Sequence, residues 1–302
     1  MAVLDLNRLT MLRAVSMHGS IAAAARELAY SHSAISQQLS LLERETGAVL
    51  LEKAGRTARL TPVGLELVRN TEAVLAAMER AETALAASRD EPRGVVTVAV
   101  FTSIGRSVMP DALRRLSREH PQLDVRLRRL DPEVAVLQLI SRHVDAVVTD
   151  TYPGTQLAPA GSVHASTIGH DPVRGYLPEP YLDGSFERIQ SVPWVMEPRE
   201  AASTQWALRV CRELGFEPII AHESSDVLFH LRMVEAGLAA AFLPDLVVRE
   251  AGSALVPSRH LPADQHRGIL VLTRAGAQRH PALRAIRDAV SQALTEYVSN
   301  TD

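Results

Sequence analysis

GSIAAAARELAYSHSAISQQLSLLERETGAVLLEKAGRTARLTPVG, residues 19–64, decides how the rest of the chain is read. Ser20 is a good N-cap for a short helix, IAAAARELA, whose small Ala24 and Ala25 let another helix approach closely. A second helix follows almost at once in SHSAISQQLSLLERETG and ends at Gly47. Its Ile35, Leu39 and Leu42 stand at i, i+4 and i+7 on one face, while Ser33, Ser36, Gln37 and Ser40 stand at i, i+3, i+4 and i+7 on the opposite face. One side packs; the other is a strip of short hydrogen-bonding groups. Such a strip suits a DNA major groove, where Ser and Gln meet base edges and phosphate oxygens. An ordinary solvent-facing helix carries the same pattern, because helix pairs joined by tight turns are common outside DNA-binding proteins. The next segment, VLLEKAGRTARLT (49–61), reads as a hairpin around Ala54-Gly55 with Lys53, Arg56 and Arg59 at or beside its tip. A basic wing next to a groove-reading helix clamps phosphates and can place an arginine in the minor groove.

Upstream, Leu6, Leu9, Leu12 and Val15 form the apolar face of a helix that ends at His18-Gly19. Downstream, Thr61 is the N-cap and Pro62 the first residue of a long helix. Along it Leu65, Val68, Leu75, Met78 and Leu85 recur as a heptad broken by Thr71 and Glu82. The stripe either packs on its own chain or pairs with a second copy. The unit before it is too small to cover a helix of ~40 Å, which favours the pair.

The text changes character near residue 90. SRDEPRG (88–94) is a charged break, and beyond it the run VVTVAV (95–100), the helical spacing of 109–121, the strand DVRLRRL (124–130), the helix 132–143 and the strand DAVVTD (145–150) make a βαβαβ series. Residues 151–193 read as irregular and rich in Pro and Gly. Alternation resumes with strands PWVM (193–196), PIIAHE (218–223), LAAAFLP (238–244) and GILVLT (268–273), and with helices 203–215, 225–237 and 281–298. Two α/β units fit this order.

Residues 19–64 resemble the winged helix-turn-helix of LysR-type transcriptional regulators, and the likeness extends more loosely over nearly the whole chain. Ala24-Ala25, Ser31, Ala34, Ser36, Gln38, Leu42-Glu43, Gly47, Leu50-Leu51, Arg56, Leu60-Thr61 and Gly64 sit where that family's pattern expects them, whereas His32-Ser33 replaces its usual Gln-Pro. The resemblance implies an α/β protein with an N-terminal all-α winged helix-turn-helix (1–61), and a linker helix and hinge (62–93) through which a homodimer forms. It implies a C-terminal periplasmic-binding-protein-like effector domain (94–302) of two α/β subdomains, I (94–161 and 266–302) and II (162–265), joined by crossing strands. Expected DNA contacts are Ser31, His32, Ser33, Ser36, Gln37 and Ser40 on the recognition helix, and Lys53, Arg56 and Arg59 on the wing. Among them Ser33, Ser36 and Gln37 are the base-reading candidates, with His32 as a specificity variant. The implied partners are double-stranded DNA with dyad symmetry, a small-molecule effector and a second copy of the chain; pairing of dimers into a homotetramer stays open.

Ligands in open α/β sheets sit outside the carboxyl ends of the strands, near helix N-termini that attract anions. Effector contacts are therefore expected at Thr102 and Ser103 after the first strand, Asp150 and Thr151 after the third, Glu197, Ser203 and Thr204 after PWVM, and Ser224 and Ser225 after PIIAHE. Each hydroxyl taken singly would also serve as a helix cap.

Composition closes off other classes. In 302 residues, 46% hydrophobic and 22% charged, two or three globular units are expected rather than a disordered or fibrous chain. Without an apolar run of roughly 18 residues or a secretory leader, a cytoplasmic bacterial protein without membrane contact is expected. A lone Cys211 excludes an intramolecular disulfide and a cysteine zinc finger, and 32 basic against 35 acidic residues speak against a general nucleic-acid coat. Catalytic motifs are missing: there is no G-x-S-x-G, Gly-rich phosphate loop or H-E-x-x-H, so neither an enzyme nor a cofactor or metal is expected. His164, His170, His222 and His230 read as structural, and Arg114, Arg115, Arg126, Arg128 and Arg129 as solvated faces or a subunit contact. The competing class is a small-molecule binding protein whose first 89 residues serve only to dimerise.

Overall fold

The computed structural model describes residues 4–54, 57–88, 91–155, 161–182 and 189–299. Its first unit packs three helices, α1 (Leu6–His18), α2 (Ile21–Glu27) and α3 (His32–Thr46), against the hairpin β1 (Leu51–Ala54) and β2 (Thr57–Leu60). Each helix is started by a short polar side chain. Asp5 accepts from the amides of Asn7 and Arg8, Ser20 from Ala23, and Ser31 from Ala34. Gly19 and Gly47 stop α1 and α3 in the left-handed region, at φ 72° and 65°, where a Cβ would strain the backbone. Leu12, Ala24, Ile35, Leu42 and Leu50 form the buried centre.

Helix α4 (Pro62–Ala87) leaves this unit, capped by Thr61, whose hydroxyl accepts from Gly64 N and donates to Val49 O. The two expectations for its apolar residues are divided between faces. Val68 and Leu75 are half-buried on the chain itself, while Met78 and Leu85 stay exposed and share a face with exposed Val63 and Val74. The side chains α4 buries most are polar: Thr71, Glu79 and Thr83. Glu79 pairs with Arg274 at 2.5 Å and Arg142 at 2.8 Å, and Thr83 donates to Gly276 O at 3.3 Å. Arg13 on α1 reaches both Glu72 on α4 (2.6 Å) and the carbonyl of Ile140 (3.2 Å).

The larger unit is a six-stranded sheet in the order β4 (Leu123–Arg129), β3 (Gly94–Val100), β5 (Ala146–Thr151), β10 (His266–Arg274), β6 (Val163–Tyr176) and β9 (Ala241–Pro244). Strands β3, β4 and β5 run parallel, alternating with α5 (Thr102–Ser107), α6 (Met109–Glu119) and α7 (Pro132–Ile140). β10 lies antiparallel between β5 and β6, and the last helix, α11 (Pro281–Ser299), packs with α6. Alternate residues of each strand point to opposite faces, so Val98 and Val148 meet Met109, Leu116 and Ile286, while Ala99 and Val147 meet Val136 and Leu139.

Among the described residues the second subdomain adds a 3-10 turn (Glu179–Tyr181), β7 (Pro193–Met196), α8 (Ala202–Glu213), β8 (Ile219–Glu223), α9 (Val227–Glu235), β9 (Ala241–Pro244) and α10 (Asp245–Glu250). β7 and β8 are parallel, a bridge joins Trp194 to Ala240, and Val173–Tyr176 at the end of β6 pairs with β9. Thus β6 and β10 carry the chain between two subdomains. Trp194, Trp206 and Phe242 centre the second core, with ring centroids 5.1–5.2 Å apart along Trp206–Phe242–Trp194.

The irregular reading of 151–193 is corrected here: it contains β6, the longest strand of the sheet. Its Pro172 and glycines read as breaks, yet the glycines are close-packing positions. A Cβ on Gly169 would stand 2.7 Å from Leu294 Cδ2, and one on Gly175 would overlap Leu261. The short helices α5 and α10, also absent from the sequence reading, are too brief to show a period.

Candidate DNA-reading face and effector cleft

α3 is anchored by Ile35, Leu39 and Leu42, each at most 2% exposed, and presents the opposite side to solvent. His32, Ser33, Gln37 and Ser40 are exposed and Ser36 is half-buried. Ser31 is exposed too, yet its hydroxyl is engaged as the cap and lies 3.0 Å from that of Ser33. Gln38 does not join the strip: its Oε1 accepts from Arg8 Nε at 3.0 Å, and Arg8 also binds Glu45, so these residues brace α1 against α3. Glu43 accepts from the amides of Leu50 (2.8 Å) and Leu51 (3.1 Å), which fixes where the hairpin starts relative to the helix. Arg59, exposed on β2, lies opposite Glu52. Arg56 and the side chain of Lys53 lie outside the described residues.

The second site is a cleft of about 320 Å³ between the subdomains. Of the expected effector residues, Thr102, Ser103, Asp150, Glu197, Ser203 and Ser225 line it, and Thr204 lines a smaller adjoining recess. Thr151 and Ser224 line neither: the Thr151 hydroxyl lies 3.4 Å from that of Thr155, and the Ser224 carbonyl meets His230 Nε2 at 2.7 Å. Thr204 donates to the Glu197 carbonyl (2.9 Å), and the Ser203 hydroxyl donates to the Glu197 carboxylate. Thr102 accepts from Arg129 Nε at 3.1 Å.

The centre of the cleft floor is a residue the sequence did not reveal. Arg267, 2% exposed, donates to Asp171 (3.0 Å from Nε), Asp150 (3.0 Å) and the Ser103 hydroxyl (2.9 Å), with its guanidinium 5.1 Å from the Phe101 ring centroid. Burial opposes its charge, but Asp171, Tyr152 and Asp150 outweigh that and hold its pKa above the ordinary arginine value. Burial pushes the Asp171 carboxyl up, against the opposing pull of Arg267 and the Leu246 amide. Ser103 and Asp150 are thereby committed to an internal network. Nothing local marks Arg267, because its partners lie 96, 117 and 164 residues away in sequence. Tyr152, 6% exposed and also unforeseen, lines both the cleft and the recess; burial, with Asp150 next, raises its pKa.

Among the described residues no His/Cys/Asp/Glu group could hold a metal, and no helix is long and apolar enough to cross a membrane. His170 and His266 meet edge to face at 5.0 Å, and His230 is buried.

Two family models match the chain. "Bacterial regulatory helix-turn-helix protein, lysR family" covers residues 6–65, and "LysR substrate binding domain" covers residues 89–295. Among curated proteins, the chain is 27% identical over 292 residues to the probable regulator LtrA of Klebsiella pneumoniae, covering 91% of this chain and 90% of that one. It is 23% identical over 224 residues to the transcriptional dual regulator GltC of Bacillus subtilis, covering 72% and 73%. Solved structures of the same fold include a full-length variant of OxyR from Pseudomonas aeruginosa, with TM-score 0.61, 19% identity and coverage of 96% and 95%. Another is full-length CbnR in complex with its target DNA, with TM-score 0.51, 21% identity and coverage of 96% and 99%. Matched over both its helix-turn-helix and its larger α/β unit, this chain belongs to the LysR family of transcriptional regulators, proteins that bind DNA through the first and a small molecule through the second.

Proposed function

We propose that the chain acts as a homodimer, paired through residues 62–89, that sets two copies of α3 into a dyad-symmetric promoter site and changes their spacing when an effector enters the cleft. The division is 1–61 for DNA, 62–93 for linkage, and 94–302 for sensing, as subdomains I (94–161, 266–302) and II (162–265). The exposed polar strip on an apolar-anchored helix carries the reading: Ser33, Ser36 and Gln37 meet base edges, His32 and Ser40 flank them, and Ser31 orders the helix start. Lys53, Arg56 and Arg59 hold phosphates. The open face of α4, with Val63, Val74, Met78 and Leu85 each at least 39% exposed, supports the dimer. An effector shifts the arrangement only through different affinities for the two states, and closing the cleft on it supplies that difference.

The test is footprinting on the chain's own upstream region, followed by binding to matched and scrambled duplexes. Arg59→Ala weakens binding to both and lowers the salt slope by about one, whereas Gln37→Ala costs about 1–3 kcal/mol on the matched duplex only. Equal losses from both variants on both duplexes would overturn the assignment. Failure of residues 1–89, within the full chain, to protect any duplex would leave the small-molecule binding protein instead.

A further inference from the structure

The walls of the cleft differ in charge. Among the described residues, the wall from subdomain II presents Glu197, Glu200 and Asp226 with Ser203 and Ser225, and no arginine or lysine. The two guanidiniums of the lining, Arg106 and Arg267, come from subdomain I, and both are paired with carboxylates behind the surface. Arg106 meets Glu250 at 2.7 Å and Arg267 meets Asp171 at 2.8 Å. At the rim Asp131 is balanced by Arg129 at 3.1 Å, and on the floor Asp150 by Arg267 at 3.0 Å. Among the described residues no ion pair involves Glu200 or Asp226. The Asp226 carboxylate accepts there from a neutral amide, that of Leu228 at 3.0 Å.

A second observation is independent of these acids. Tyr152 is 6% exposed, and its bonds with Thr155 run through its backbone. Among the described residues its phenol hydroxyl makes no hydrogen bond and is not one of the sealed polar atoms, so it is open to the cleft that the residue lines. It lines the cleft beside Phe101 and Val227. A polar group of a ligand, donor or acceptor, would complete it.

From this geometry we infer that the effector is a small organic cation, an amine with an apolar body, rather than the anion that strand-to-helix junctions suggest from sequence. Its ammonium lies toward Glu200 and Asp226, its body rests on Phe101 and Val227, and a polar group meets the Tyr152 hydroxyl. A carboxylate would face the acidic wall while both arginines are already engaged, and would lose affinity for that reason. A volume of about 320 Å³ suits a single small molecule. The inference rests on the cleft being the effector site, and its test separates the two.

The full-length protein is probed by thermal shift and titration calorimetry against amines (phenethylamine, hexylamine, agmatine) and carboxylates (3-phenylpropionate, hexanoate, glutarate). The amines raise Tm and the carboxylates do not. Glu200→Gln and Asp226→Asn, the latter keeping the cap on α9, each weaken amine binding about tenfold, or 1.4 kcal/mol. Glu213→Gln, on α8 outside the cleft, leaves it unchanged. Stabilisation by carboxylates alone overturns the charge assignment and leaves the cleft as the effector site. Stabilisation by neither set overturns both. Amine binding indifferent to Glu200 and Asp226 is adventitious and overturns the inference.

Discussion

Replacing Arg267 by methionine keeps most of the side-chain volume and removes the one cation on which the cleft floor is built. Asp171, 1% exposed, would then retain only the Leu246 amide at 3.1 Å, and Asp150 and Ser103 would each lose a charge-assisted donor. Removing one partner of a buried ion pair costs about 3–5 kcal/mol, because the other charge is left without compensation. Total stabilities are about 5–15 kcal/mol, so the variant should fold but melt well below the parent. Adding Asp171→Asn, whose carbonyl still accepts from Leu246, removes the stranded charge and should recover at least half of the loss. Without Arg267 the Asp171 carboxyl, already pushed up by burial, takes a proton more readily in the folded state than in the unfolded one. The deficit of Arg267→Met is therefore full above that raised folded pKa and shrinks as pH falls through it. The assay is urea unfolding followed by tryptophan emission, since Trp194 and Trp206 both report on the second core. A cost below about 1 kcal/mol, or no recovery in the double variant, would refute the reasoning.

Other positions give separate tests. A Cβ at Gly64 would overlap the backbone oxygen of Leu50, which cannot swing away, so Gly64→Ala should cost about 1–3 kcal/mol and weaken DNA binding; calorimetric melting and duplex titration check both. Burial lowers the pKa of His230 from 6.5, against smaller contributions from Ser224 and Asp226 that raise it. The unfolded chain thus binds the proton first, and this residue's contribution is present above about pH 6.5 and lost as pH falls below it; His230→Gln should flatten that slope in unfolding free energy, and a slope of opposite sign would contradict it. Cys211 is fully buried and burial pushes its thiol up to about 12, so the native protein should resist alkylation at pH 8 and take up one equivalent in denaturant. Glu79→Ala leaves Arg274 without its 2.5 Å partner and should raise the susceptibility of α4 to proteolysis between the two units.

What was legible in the sequence is what local chemistry writes. Ser31 and Gly47 mark the ends of α3, and the i, i+4, i+7 placement of Ile35, Leu39 and Leu42 tells its buried face from its open one. The buried runs of β3 and β5 announce a covered sheet in the same way. Long-range partners leave no such trace. β6 looks broken because Gly169 and Gly175 are shaped by Leu294 and Leu261, which lie far along the chain. The expected effector residues divide for a similar reason. Strand ends locate the cleft, but whether a hydroxyl such as Ser103 faces a ligand or a buried arginine depends on Arg267, 164 residues away.

Helix α4 is fastened along one side to its own chain by Glu72, Glu79 and Thr83, while Val74, Met78 and Leu85 remain open along another. Its 26 residues make a rod of about 39 Å. A rod clamped to the sensing unit near one end behaves as a lever once the contacts that tie the first unit to the sensing unit, Arg13 with the Ile140 carbonyl and Glu27 with His143, let go: a tilt of about 5° at the clamp then carries the far end roughly 3 Å, comparable to the rise of a base-pair step. Mechanical gain of this kind would let a sub-ångström closure around a bound molecule become a change in stride between two reading heads, without any element having to unfold.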